Sequence, residues 1–398
     1  MSTLPRTEES AAPPASRAGV TGGDLRLFAG CAVATAAAGV AQLASLPSLL
    51  TFLIAAVGLA LLASLVGRAV DALGDRLGAG ATGVLQSALG NLPELFVCIF
   101  ALRDKLYDVV TAALVGSVLA NVLLVLGLAF VAGGLRHGTQ TFGTARARML
   151  SLLLLLSVAA WLIPSLTAAL HTPAGGHEKT LSMITSVLLL VLFALSIPAS
   201  LAREGAGDQG AGDHREGDQP EGGAEDDESR GGDPGAGEAA DGHGSGRWPL
   251  PLTLVVLAVA AVAAAFVSDW FVTALTPAME AAHISQTFAG LVVVAIAGNA
   301  VENVVGVQLA ARNQTDYALS VILQSPLQIA LVLAPVLVLI APLVGATFTL
   351  VLSPLLVASL VIAVIVTVLV VADGESTWLE GATLVVLYIL IATAFWWG

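Results

Sequence analysis

The sequence predicts an all-α polytopic membrane protein, on two observations. The 398-residue chain is 57% hydrophobic and only 11% charged, with a mean hydropathy of +0.89, and a soluble chain of this size needs far more charged surface. Apolar runs long enough to cross a bilayer, about 20 residues, recur from Leu25 to the C-terminus. A membrane β-barrel would show short alternating segments instead.

About eleven transmembrane helices are expected, near residues 25–46, 48–70, 81–102, 107–132, 147–170, 180–201, 250–275, 285–311, 317–343, 349–372 and 377–397. Residues 1–24 are polar and rich in Pro, Ala and Ser, and they read as a disordered tail. The first apolar run is too long for a cleaved signal peptide, and ten more follow it. Residues 25–47 then make one extra helix, 48–202 a first five-helix unit and 248–398 a second. Between the units, residues 203–247 hold 13 of the 29 acids, 14 glycines and four arginines. This stretch has no apolar period and reads as a solvated, flexible acidic linker. It contributes −9 of the net charge of −13, so the acidity says little about a substrate.

The Lys and Arg residues set the orientation. With the N-terminus in the cytoplasm, 13 of the 16 fall on cytoplasmic segments, and only Arg103, Lys105 and Lys179 fall outside. That asymmetry puts the N-terminus and the linker inside and the C-terminus outside. The Arg-over-Lys, Ala/Gly/Val-rich composition suggests a GC-rich bacterial source, hence the plasma membrane.

An internal repeat is legible. Gly90-Asn91-Leu92-Pro93-Glu94 matches Gly298-Asn299-Ala300-Val301-Glu302 at an offset of 208 residues, and the same offset maps Asp108 onto Asp316 and Ser117 onto Ser325. Five helices separate the starts of the two copies, an odd number, so the copies enter the membrane from opposite sides. The expected architecture is one extra helix plus two inverted five-helix repeats, with the substrate site at their interface near the midplane.

Glu94 and Glu302 lie deep inside apolar runs. A charge at the bilayer centre costs about 3 kcal/mol or more, so such residues are functional by default. The competing reading is a protonated carboxyl that holds helices together. Paired carboxylates suit Ca2+, which takes about six to eight oxygen ligands. Asn91, Asn299, Ser117, Asn121, Ser325 and Gln328 supply further oxygens on the same segments, although small polar residues also serve as interhelical glue. The glycine before each Asn-x-x-Glu, and Pro93, can break the helix and bare carbonyls toward a cavity.

Other signals point nowhere. Gly78 to Gly83 fits a dinucleotide-binding pattern but has no preceding strand. Two Gly-Ala-Gly-Asp stretches fall in the linker. Cys31 and Cys98 sit in apolar runs and read as packing. Asp269, late in the seventh helix, reads equally as a functional acid or an interfacial acid. No nucleophile–base set or resident cofactor is indicated, so an enzyme is not expected, nor is a nucleic-acid partner.

On these residues the sequence resembles the Ca2+/H+ antiporters, or cation exchangers, of the Ca2+:cation antiporter superfamily. The resemblance rests on Gly90–Glu94 with Gly116-Ser117-Val118-Leu119-Ala120-Asn121, and on Gly298–Glu302 with Ser325-Pro326-Leu327-Gln328. It also covers Asp373–Gly381 and the eleven-helix plan with an acidic linker after the sixth. It implies a site built from Asn91, Glu94, Asn299 and Glu302. Asn303 stands where that family usually has His. The expected function is secondary active exchange of Ca2+ against H+, with the first repeat rocking against the second. Na+/Ca2+ exchange, Na+/H+ or K+/H+ antiport in the same frame, and a transport-inactive scaffold are the alternatives. The expected partners are inorganic cations and the lipid bilayer.

Overall fold

The computed structural model describes residues 19–77, 85–86, 89–210 and 248–397. The tail up to residue 18, the Gly78–Gly83 pattern and residues 211–247 of the linker lie outside the described residues. The helices are α1 (Gly22–Leu43), α2 (Ser48–Leu77), α3 (Leu92–Arg103), α4 (Tyr107–His137), α5 (Thr144–Ala169) and α6 (Glu178–Gly210). The second half holds α7 (Leu250–Ala282), α8 (Gln286–Gly298), α9 (Ala300–Ala310), α10 (Thr315–Val344), α11 (Pro354–Val370) and α12 (Trp378–Ala394). Among the described residues, seven helices are long and apolar enough to cross a membrane, and the bent pair α8–α9 makes eight. The apolar helices α11 and α12 are shorter, at 17 residues each. The chain is helical for the reason that membrane chains are: lipid offers backbone groups no partners, so each segment satisfies its own.

Several boundaries differ from expectation: α2 runs to Leu77 rather than Val70, α4 to His137 rather than Ala132 and α7 to Ala282 rather than Leu275, and α11 begins at Pro354 rather than Thr349. Helix α1 begins at Gly22 rather than Leu25, because Thr21 and Asp24 cap it reciprocally. Buried Asp24 also accepts from Arg68 at 2.6 Å and from Trp248 Nε1 at 3.1 Å, tying α1 and α2 to the entry of α7. Helix α6 runs to Gly210 rather than Leu201, into the residues expected as linker.

The molecule is apolar outside and partly polar inside. Large side chains such as Val40, Leu53, Val57, Leu188, Val259 and Leu390 are exposed, as a lipid-facing surface requires. Asn91, Glu94, Ser117, Asn121, Asn299, Ser325 and Gln328 are all buried. Helix α4 is central: 83% of its most apolar window is buried, against 22% for the peripheral stretch Pro173–Ile197.

The packing corrects one expectation. The two repeats do not form separate halves that could rock as blocks. Instead α2 lies against α7, α4 against α8 and α12, and α5 against α11, so the repeats interleave. Glycines allow this closeness. A Cβ on Gly116 in α4 would lie 2.2 Å from the Leu291 carbonyl oxygen, and one on Gly290 in α8 would lie 2.4 Å from that of Val109. Gly127 of α4 and Gly381 of α12 meet in the same way. Such small-residue contacts are how membrane helices gain dispersion energy.

The connections after α4, α9 and α11 meet at one end. There β1 (Gln140–Thr141) pairs antiparallel with β2 (Glu375–Ser376), His137 Nε2 lies 3.1 Å from the Ala311 carbonyl oxygen, and Gly143 N–H donates to Asp316. At the other end Ser285 donates to the Phe395 carbonyl, and Arg103 pairs with Asp269 at 2.7 Å. Asp269 thus lies within α7, well before its end, and is held in an ion pair with Arg103. This sorting of connections matches the alternation of crossings expected from the sequence.

The glycine contacts make a prediction. Gly116→Ala forces a methyl into the α8 backbone and lowers the thermal midpoint of the detergent-solubilised protein, at a cost of roughly 1–3 kcal/mol. Gly67→Ala, which meets nothing within 4 Å, leaves the midpoint unchanged.

Candidate cation-binding site

The site is assembled where two helices are interrupted. In the first repeat, Asn91 (φ −95°, ψ 19°) is the N-cap of α3, so Leu92, Pro93 and Glu94 are its first three residues. Proline is tolerated there because its missing N–H would have no intrahelical acceptor. In the second repeat, Asn299 (φ −106°, ψ 20°) caps α9 in the same way, after a bend of 65° from α8. Both glutamates therefore occupy the third position of a half-helix that starts inside the membrane. The N-terminal partial positive charge of a helix offsets a carboxylate at that position.

Asn-x-x-Glu reads as a helix start, yet neither asparagine side chain caps its own helix. Both reach across to other segments. Asn299 Nδ2 donates to Ser117 Oγ at 3.0 Å, and Ser117 Oγ donates to Glu94 Oε1 at 2.5 Å. Ser325 Oγ donates to Asn299 Oδ1 at 3.2 Å, and Asn121 Nδ2 lies 3.3 Å from Ser325 Oγ. A continuous chain of donors thus runs from Asn121 through Ser325, Asn299 and Ser117 to Glu94. It crosses between the repeats twice, at Asn121–Ser325 and at Asn299–Ser117. Asn91 Nδ2 donates to Gln328 Oε1 at 3.1 Å, also between repeats. The Glu94 side chain lies over Gly298, where an added Cβ would sit 3.6 Å from its Cβ and Cγ.

All the predicted site residues with described side chains are therefore brought together: Asn91, Glu94, Ser117, Asn121, Asn299, Ser325 and Gln328. Glu302 has its backbone at the position equivalent to Glu94, and its side chain lies outside the described residues. Asn121 Oδ1 is buried with no hydrogen-bond donor among the described residues. It is an oxygen of the type a hard cation takes.

Sequence reasoning missed the features that shape this site. Helix α4 contains a π turn at Ala120–Val125 and α10 one at Ile329–Leu333. Adding the 208-residue offset to the first lands on residues 328–333, so the two turns are repeat partners. The first contains the site amide Asn121 and the second adjoins Gln328, as π turns at functional sites do. A third π turn, Ala289–Val294, lies in α8. Ser268 on α7, also missed, lies 3.4 Å from the Pro93 carbonyl oxygen and holds α7 against the start of α3. None of these has a signal in composition or periodicity, because each depends on a neighbour distant in sequence.

The sodium/calcium exchanger protein family matches residues 47–201 and 252–397. A relative from Aphanothece halophytica, named Ca(2+)/H(+) antiporter, is 32% identical over 86% of this chain and 89% of its own. One from Synechocystis sp. with the same name is 33% identical over 86% of this chain and 90% of its own. The crystal structure of the Ca2+/H+ antiporter protein YfkE matches with a TM-score of 0.74 and 28% identity, over 94% of this chain and 99% of that one. The broken helices, the buried Glu94 and these likenesses agree: the chain belongs to the sodium/calcium exchanger protein family.

Proposed function

We propose that the protein exchanges Ca2+ for protons across a bacterial plasma membrane, with its N-terminus and linker in the cytoplasm and its C-terminus outside. The observation that carries the reading is Glu94, buried in a membrane interior and bonded through Ser117 to an amide of the opposite repeat. The names of its relatives support the choice of ions.

The chemistry follows from charge in a low dielectric. Two nearby carboxylates there keep their charges only with a cation between them, or lose them to protons. Ca2+ binds the ionised pair, with Glu94, Glu302, Asn121 Oδ1 and the Asn91, Asn299, Ser117, Ser325 and Gln328 oxygens as its ligand pool. Protons displace it by neutralising the glutamates. Ser117 adapts to either state, since its hydroxyl can donate to a carboxylate or accept from a carboxyl. The Ca2+-loaded and doubly protonated sites cross easily, whereas a bare doubly charged site does not, and that restriction couples the two fluxes.

Interleaved repeats call for a different moving part from a half-against-half rock. Helices α1, α2 and α7 form one packed layer, joined to the site by Ser268 at Pro93 and by the Arg103–Asp269 pair. Displacement of this layer along the α3–α4–α9–α10 cluster would open the site to one side and then the other.

The test is 45Ca2+ uptake into inside-out vesicles under an imposed pH gradient, repeated under a Na+ gradient. Uptake driven by the pH gradient is expected, and uptake driven only by Na+ would move the protein to sodium coupling. Glu94→Gln and Glu302→Gln are each expected to reduce uptake to background with the thermal midpoint retained. Ser117→Ala is expected to raise the half-saturating Ca2+ concentration about 10-fold, as loss of an orienting partner does. At fixed Ca2+, acidifying the Ca2+-binding side is expected to slow uptake, and excess Ca2+ to restore it. Inhibition that excess Ca2+ does not relieve would argue against a shared site.

A further inference from the structure

The geometry points to Trp161 and Thr367 as a matched pair of positioning residues that hold the two π turns, and through them the site amides, in register. This rests on the site assigned above and concerns residues outside it.

A π turn displaces the ladder of backbone hydrogen bonds by one residue and leaves a carbonyl without its usual donor. In α10 the Ala334 N–H, the α-helical partner of the Ala330 carbonyl, donates to Ile329 instead. The next amide along belongs to Pro335, which has no N–H. The Ala330 carbonyl is therefore left open by its own helix, and Trp161 Nε1 of α5 reaches it at 3.3 Å. In α4 the Leu126 N–H, the usual partner of the Val122 carbonyl, donates to Asn121 and Leu123. Thr367 Oγ1 of α11 lies 3.2 Å from the Val122 carbonyl oxygen, sharing its proton with Ala363 of its own helix at 2.8 Å.

The arrangement is reciprocal. Helices α5 and α11 occupy equivalent places in the two repeats, and each donates to the π turn of the other repeat. Both donors are fully buried, so water does not replace them. Val122 adjoins Asn121, and Ala330 is two residues from Gln328. Were either turn to relax to α-helix, the residues on one side of it would rotate by about 100° relative to the other. Asn121 or Gln328 would then leave the site.

Proton movement coupled to cation addition is measured in proteoliposomes with Ca2+, Na+ and K+ in turn, alongside the thermal midpoint. Thr367→Val removes the hydroxyl at constant shape, Thr367→Ser restores it, and Trp161→Phe removes the indole N–H while keeping an aromatic ring. The expected result is a half-saturating cation concentration raised about 10-fold in Thr367→Val and in Trp161→Phe, with Thr367→Ser close to wild type. Unchanged half-saturation in Thr367→Val, with only the midpoint lowered, would overturn the assignment and leave a purely structural role. The same result in Trp161→Phe would overturn it for that residue even if Thr367→Val failed to fold. A wild-type response to Na+ or K+ but not Ca2+ would sink the Ca2+ reading alone, and the variants would then be judged on the responding cation.

Discussion

A carboxylate in the middle of a membrane must be offset by something, and the interior of this protein is organised around that requirement. Leaving a charge in hydrocarbon costs several kcal/mol. The chain meets this by starting a helix at the midplane, so that Glu94 sits in the first turn of α3, where backbone N–H groups lack intrahelical partners. A helix can start there only if another stops, hence the break before Asn91 and, in the second repeat, the 65° bend before α9. Irregular backbone at that depth must in turn be enclosed by protein. Enclosure explains why α4 and α10 are the most buried of the long helices and why α6 and α7 are left to face lipid.

Enclosure also demands closeness. Gly116 with Gly290, and Gly127 with Gly381, let α4 approach its neighbours until backbone touches backbone. The same approach places Ser117 between Glu94 and Asn299. Packing and chemistry are therefore not separable on α4: the glycine that admits α8 is adjacent to the serine that bridges the repeats. The interleaving has a consequence for motion. Bodies joined along such contacts do not part as two halves; the α1–α2–α7 layer packs along α3, α8 and α9, with the Ser268 contact and one ion pair near the surface among its links.

The two repeats are related but not equal. Asn299 joins both serines, while Asn91 turns to Gln328. The polar residue beside the π turn stands at 121 in one copy and 328 in the other, positions that miss equivalence by one residue under the 208-residue offset. The repeats are a symmetric frame carrying an asymmetric set of polar side chains.

The amino-acid sequence by itself determined the membrane class, most helix positions, the duplicated Asn-x-x-Glu and the set of polar residues that would meet. It could do so because a polar side chain in a bilayer is expensive enough to stand out one residue at a time, and because duplication repeats the signal. Only the tertiary structure decided how the repeats interlock, that the asparagines reach across rather than cap, that Asp269 pairs with Arg103, and that Trp161 and Thr367 reach carbonyls of the π turns. Those outcomes are contacts between residues 166 to 245 positions apart. A hydrogen bond of that kind depends on where two helices come to rest, and no local pattern of apolar and polar residues carries that information.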